Sequence, residues 1–284
     1  MAIKTQNIHR ILVALDPRFN TREVNHSILQ AATSLALRLN AELNTLFVED
    51  INLLHLAELP FAREVVYGTF SSRKFNVADM ERSLNAQTAR LRKLVETVAQ
   101  QNQIKIAFDV MRGDIAREVC SASKNVDLLV VGKNTQTVRQ SLKIGKITKA
   151  ILSSVNCNLL LLQHGAIVER PVAVFYTGSE ASQKALQLAI QLVQQDHKNL
   201  IVVYSTCTDT QYKELSQKVN ILTESFAIEA RHIQLKSNTA DAMLDVMSMT
   251  GARILLLDSS KPAFSSEQVQ ALVQQSNTPI IFIN

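Results

Sequence analysis

The 284-residue sequence has no tryptophan and little glycine, proline or cysteine, with 7, 5 and 3 of each. Scarcity of chain breakers excludes a collagen-like repeat, a low-complexity chain and a flexible Gly-rich linker. No apolar run reaches the roughly 18 residues that a membrane helix needs. The start, MAIKTQNIHRILVALD, carries no cleavage-site pattern. A cytoplasmic protein with no membrane contact is therefore expected. Cys120, Cys157 and Cys207 are odd in number, widely spaced and set among apolar residues, with no CxxC. This predicts reduced thiols packed in a core rather than disulfides or a metal site.

Catalytic signatures are missing as well. The chain has no Walker A loop, no G-x-G-x-x-G, no G-x-S-x-G and no H-E-x-x-H, so the common P-loop, dinucleotide, hydrolase and zincin readings lack their residues. His9, His26, His55, His164, His197 and His232 are scattered, with no pair at ligand spacing. No catalytic residue and no metal ligand is assigned. The net charge of +5 is divided unevenly: residues 1 to 165 hold 21 Lys+Arg against 14 Asp+Glu, and the remainder 9 against 11. A first half at +7 suits an anionic ligand, yet it lacks the clustered basic footprint of a nucleic-acid binder. From Lys133 to Lys149 there is no acid at all, and the cations are Lys133, Arg139, Lys143, Lys146 and Lys149. Such a stretch is either an anion site or a solvated basic face.

What is present is a pattern written twice. IHRILVALD (8 to 16) is echoed by RPVAVFYTG (170 to 178). Val24, Ile28, Ala31, Ala32, Leu35 and Leu39 mark a helical apolar stripe, and Ala181, Ala185, Leu188, Ala189 and Leu192 mark its counterpart. Further strands are expected at 44 to 50, 104 to 110, 126 to 132 and 156 to 163, with echoes at 199 to 205, 231 to 235, 252 to 258 and 277 to 284. Long helices fall around 79 to 101 and 209 to 229, so each half reads βαβαβαβαβ. Strands apolar throughout, alternating with amphipathic helices, need both sheet faces covered, which makes each half a doubly wound parallel sheet. Ligands in such folds sit beyond the carboxyl ends of the strands, where the strand order reverses.

The offset between matched positions falls from 161 at the first strand to 121 at the last, so the second half is 40 residues shorter. Most of the difference is an insert, INLLHLAELPFAREVVYGTFSSRKFNV (51 to 77). Its Leu53, Leu54, Leu56, Leu59 and Phe61, mixed with Arg63, Arg73 and Lys74, fit a lid, a dimer surface or a helix packed on its own domain.

At the end of the first strand and after the fourth, the sequence resembles the universal stress protein family, whose ATP-binding members carry an Asp ending strand one and G-x-x-G-x9-G-[ST] after strand four. Asp16 stands at the first place. The second maps onto GKNTQTVRQSLKIGK, with Gly132, Thr135 where Gly is expected, Gly145, and Lys146 where Ser or Thr is expected. Glycine lets backbone N–H groups approach phosphates closely, and the last Gly of the motif opens a helix whose N-terminus favours anions. Thr135 puts a β-branched side chain into that turn. Lys146 exchanges a hydroxyl for a cation.

The resemblance implies that Asp16, with the backbone at Ala14 and Val48, holds the adenosine, while Val131, Gly132, Thr135, Gly145, Lys146 and Ile147 line the phosphates. The lesser alternative for Asp16 is a turn former before Pro17. The implied ligand is ATP or AMP, with Mg only alongside ATP. In the second half Thr177 replaces the Asp, Asp258 stands at the Gly position ahead of Lys261 and Pro262, and the loop is 5 residues shorter. No nucleotide of the family type is expected there, since a carboxylate repels phosphate.

The expected architecture is α/β: two tandem doubly wound parallel-sheet domains, adenine nucleotide α-hydrolase-like by resemblance. The first, 1 to 165, carries the degenerate nucleotide motif, and the second, 166 to 284, lacks it. Two functions stay open. One is a stress-response regulator binding ATP or AMP weakly in its first domain, with at most slow ATP hydrolysis. The other is a scaffold that keeps the fold without the ligand. The resemblance also implies that the two domains pair within the chain, with a homodimer as an optional further step.

Overall fold

The structure, a computed structural model, describes residues 8–16, 22–65, 72–74, 76–133, 146–163, 165, 167–169, 171–194, 200–259 and 264–284. The first half opens with β1 (Arg10–Leu15), α1 (Arg22–Leu39) and β2 (Glu42–Asp50). The insert then contributes α2 (Ile51–Glu58), β3 (Arg63–Val65) and β4 (Ser72–Lys74). It continues through α3 (Val77–Asn102), β5 (Ile106–Gly113), α4 (Ile115–Ala122), β6 (Leu128–Gly132), α5 (Lys146–Ser154) and β7 (Asn158–Leu162). The second half repeats the plan as β8 (Val172–Tyr176), α6 (Glu180–Val193), β9 (Leu200–Tyr204) and α7 (Asp209–Glu224). It closes with β10 (Ala230–Gln234), α8 (Ala240–Thr250), β11 (Ile254–Asp258), α9 (Ser266–Gln275) and β12 (Ile280–Ile283).

Local signals place the helices. Asn76, Asp114, Ser179, Thr208, Thr239 and Ser265 each turn a side-chain oxygen onto an amide of the first turn that has no partner within the helix. At Thr208 the Gln211 side chain reciprocates, completing a capping box. α8 stops at Gly251, whose φ of 66° closes the helix on Met247 and Ser248 carbonyls, a left-handed cap suited to glycine.

Strands β6, β7, β8, β9 and β11 are buried at every residue, as their unbroken apolar runs require. All ten long strands join one sheet in the order β10-β9-β8-β11-β12-β7-β6-β1-β2-β5. The two halves are each parallel, and they meet at the antiparallel pair β7–β12, in which Leu159, Leu160 and Leu161 face Phe282, Ile281 and Ile280. The third strands of the repeat, β5 and β10, become the sheet edges, and their side chains are correspondingly exposed or half-buried.

Alternation of side chains across the pleat sorts the core into two layers, each running through both halves. One packs Val13, Leu128, Leu160, Ile281, Leu256 and Val174 under α1, α3, α6 and α7. The other packs Val131, Leu159, Phe282, Leu257 and Phe175 under α4, α5, α8 and α9. Each fully buried Leu, Ile or Phe contributes about 1.5–3 kcal/mol, so the seam is held as strongly as the interior of either half.

Polar side chains cross the seam as well. Arg38 at the end of α1 donates to the carbonyls of Val168 and Leu192 at 3.1 and 2.6 Å, which caps the end of α6. The Asn284 side-chain amide reaches the Val155 and Cys157 carbonyls beyond α5.

One expectation changes and one open choice narrows. The cysteines are free thiols and half-buried: Cys120 and Cys157 pack against the core on one side and border a surface hollow of about 720 Å³ on the other, while Cys207 lies between β9 and α7. In the insert, α2 packs through Leu54 and Ala57 against α3, as the packed-helix reading has it. Its other face is left open, with Leu53 36% and Leu56 48% exposed, and Phe61 beyond its end is 77% exposed. The β3–β4 hairpin had no sequence signal.

Leu160→Ala, at the centre of the seam and 0% exposed, is expected to destabilise the whole chain by about 2–5 kcal/mol, measured by urea denaturation. A second prediction concerns the buried Tyr204 hydroxyl, 2.7 Å from His232 Nδ1, while His232 Nε2 lies 2.8 Å from Asn220 Oδ1. Since Asn220 Oδ1 only accepts, the neutral ring donates from Nε2 and accepts the Tyr204 proton at Nδ1. Burial lowers the His232 pKa below its usual 6.5. The neutral ring is the one that stabilises the fold, so that contribution is complete above pH 6.5 and is lost as pH falls through the depressed value. Unfolding midpoints between pH 7.5 and 5 should therefore fall with pH, and fall less in His232→Phe.

Candidate functional site

β1 and β6 lie side by side in register, Ile11 to Ala14 against Leu128 to Val131. The helices that follow them leave on opposite faces, α1 into one core layer and α5 into the other. A crevice therefore opens beyond the carboxyl ends of these two strands. Its described lining is Ala14, Leu15 and Asp16 from the β1 end, Leu46 and Val48 from β2, Ile115 and Val119 from α4, Val131 and Gly132 from β6, and Ile147, Thr148 and Ile151 from α5.

Of the nine residues that the sequence marks, Ala14, Asp16, Val48, Val131, Gly132 and Ile147 thus meet at one place. Lys146 is the first described residue of α5, and nothing is described of its side chain. Thr135 and Gly145, like Arg139, Lys143, Lys261 and Pro262, lie outside the described residues.

Asp16 is the one ionisable group in the described lining. Its backbone is pinned twice by Asn25 of α1: the Asp16 amide donates to Asn25 Oδ1 at 3.3 Å, and Asn25 Nδ2 donates to the Asp16 carbonyl at 3.0 Å. Sequence reasoning missed Asn25. Its signal was a polar residue beside the apolar stripe of α1, and it is 3% exposed. The crevice itself holds about 30 Å³, room for water and not for a nucleobase. Ile115 and Val119 from α4, with Ile147, Thr148 and Ile151 from α5, wall it on the helix side.

Lys133 follows neither reading of the basic stretch. It is 7% exposed, and its amine donates to the carbonyls of Gln274 and Ser276 at 3.2 and 2.8 Å, at the end of α9 in the other half. Burial pulls its pKa down to about 8. Its amine is thus directed to these two carbonyls of the other half rather than gathered with the other cations. On β2, Glu49 is buried beside Val48 and accepts from Thr88 Oγ1 at 3.1 Å and from Arg112 at 2.9 Å. That pair ties the β2 end to α3 and β5.

The equivalent place in the second half holds a hydrogen-bonded chain of its own side chains. Thr177 donates to Ser179 Oγ, which donates to Asp258 Oδ2 and also caps α6 by accepting from the Ser182 amide. Asp258, 6% exposed, ends β11 where Gly132 ends β6. Among the described residues no three His, Cys, Asp or Glu side chains gather to hold a metal, and no helix is long and apolar enough to cross a membrane.

Two doubly wound halves fused through their last strands, with a crevice at the switch point of the first, define a tandem protein of the α/β nucleotide-fold class. The model of the universal stress protein family matches residues 7–163, more than half of the chain. The chain belongs to that family. A universal stress protein of Synechocystis sp. is 26% identical over 161 residues, which span 55% of this chain and 97% of that one. A universal stress protein structure from Archaeoglobus fulgidus superposes with a TM-score of 0.72 at 15% identity, covering 98% of this chain and 97% of its own. A putative universal stress protein from Pseudomonas aeruginosa gives 0.60 at 11% identity, covering 98% and 93%. At these identities the two structures establish the fold over both halves.

Asp258→Ala should remove the acceptor of the Ser179 hydroxyl and cost about 1–3 kcal/mol of stability without creating affinity for MgATP in the second half. Denaturant titration and calorimetry on an Asp16→Ala background check the two parts.

Proposed function

We propose that the chain is a nucleotide-responsive regulator of the stress response, in which residues 1–165 carry a weak ATP or AMP site and residues 166–284 carry none. The observation behind this reading is the convergence of Ala14, Asp16, Val48, Val131, Gly132 and Ile147 on one crevice at the switch point of a doubly wound sheet. Asp16 offers a carboxylate for ribose hydroxyls, with Asn25 orienting its backbone. α5 presents its N-terminus from Lys146 onward, where backbone amides and the helix dipole favour phosphate. Thr135 and Lys146 in place of the family's Gly and Ser or Thr weaken the cradle and add a cation. Mg enters only as the companion of ATP.

Binding requires the crevice to widen, because about 30 Å³ accommodates no base. Movement of α5 away from β2 is the simplest route, as it withdraws Ile147 and Ile151 together. The ligand then acts by shifting the population toward the open crevice, which reduces its apparent affinity. Turnover is not part of the proposal, since Asp16 is the one ionisable group of the described lining and holds the ribose.

The narrow crevice also favours a second reading, a cytoplasmic scaffold that has kept the fold and closed the site. Calorimetry with MgATP and with AMP separates them. The regulator predicts measurable binding that Asp16→Ala weakens by at least about tenfold, the loss expected for a hydrogen bond to a charged group. Absence of binding in both proteins leaves the scaffold.

A further inference from the structure

A buried lysine joins the crevice to the second half. Lys133 follows Gly132 directly, and its own amide is fixed by the Leu162 carbonyl at 2.6 Å, so little slack separates the lysine from the crevice wall. Its side chain runs away from the crevice and crosses the seam to α9. The acceptors there are carbonyls at a helix C-terminus, which lack partners within the helix and sit at the negative end of its dipole.

Packing does not explain a lysine at this place. Burial makes the ammonium costly, which is why the pKa falls to about 8, and a methionine of similar length would fill the space without that cost. Nor does the symmetry of the repeat explain it. The residue after β11 is Ser259, whose amide and hydroxyl both donate to Ile283 within its own half. The cross-seam lysine occurs on the half with the crevice and not on the half where Asp258 ends β11.

We propose that the second half serves as the anchor of the first-half crevice: α9 grips Lys133 and thereby sets the position of Gly132 and the ligand-facing end of β6. For its ligand the inference rests on the nucleotide reading above, but the anchoring itself does not. It assigns the second half a positioning role in place of a second ligand site, and it makes Lys133 a positioning residue for the first.

Hydrogen exchange on the full chain tests the anchor without any nucleotide. In Lys133→Met, exchange should rise at least about tenfold in peptides covering residues 270–279 and also 128–133, since one lost link frees both sides. Lys133→Arg, which keeps the charge and the donors, should restore most of the protection. Exchange unchanged in either region overturns the anchor, whatever the protein binds.

Calorimetry with MgATP tests the consequence. Lys133→Met should bind about tenfold more weakly than wild type, within the usual range of coupling between sites, and Lys133→Arg close to wild type. Equal affinity in all three overturns the positioning role. Should the wild type bind neither MgATP nor AMP, the nucleotide reading fails, and the exchange experiment alone decides the anchor.

Discussion

The antiparallel pairing of β7 with β12 is the contact on which the rest of the molecule depends. It converts two five-stranded parallel halves into one ten-stranded sheet. Each half would otherwise expose an apolar last strand along its whole edge, a template for uncontrolled pairing. Joining these strands removes both liabilities, leaves the more polar β5 and β10 as edges, and makes each core layer continuous from α3 to α7 or from α4 to α8. The polar contacts of Arg38, Lys133 and Asn284 are added to a junction that apolar burial has already formed. Their value is in orientation, because hydrogen bonds contribute modestly to net stability while fixing geometry closely.

Within that frame the two halves have gone different ways at the same topological position. In the first, two strand ends and the start of a helix leave a crevice with one carboxylate in its described lining. In the second, a Thr-Ser-Asp chain of hydrogen bonds occupies the corresponding strand ends and caps α6 at the same time. The end of α9, which holds Lys133, shows how one half positions a residue of the other.

Much of this was legible in the sequence. Unbroken apolar runs such as LLVVG and VAVFY had to be buried on both faces, and stripes such as Ala181 to Leu192 had to lie on a sheet. The repeat then gave the order of elements twice. Asp16 and Gly132 could be paired as a site because the fold class brings the ends of strands one and four together. Other features could not be read. The acceptors of Lys133 lie 141 and 143 residues away in the chain, and no local pattern distinguishes a lysine that caps a distant helix from one that faces an anion. Asp258 and Ser179, 79 residues apart, form a similar case. The insert gave an amphipathic helix, but which of its leucines would be covered depended on where α3 lay.

The sequence by itself determined what repeats locally: periodicity, caps, the doubled βα pattern and the residue types at the first strand end. These follow from each residue's own preferences and those of its close neighbours, which act before any tertiary contact exists. Tertiary structure alone decided which cation would be buried, which hydroxyl would meet Asp258, how wide the crevice between Asp16 and Ile147 would be, and that two sheets would become one. Those outcomes depend on groups brought together from opposite halves of the chain, where the cost of leaving a buried donor or acceptor unpaired selects partners that no stretch of sequence contains.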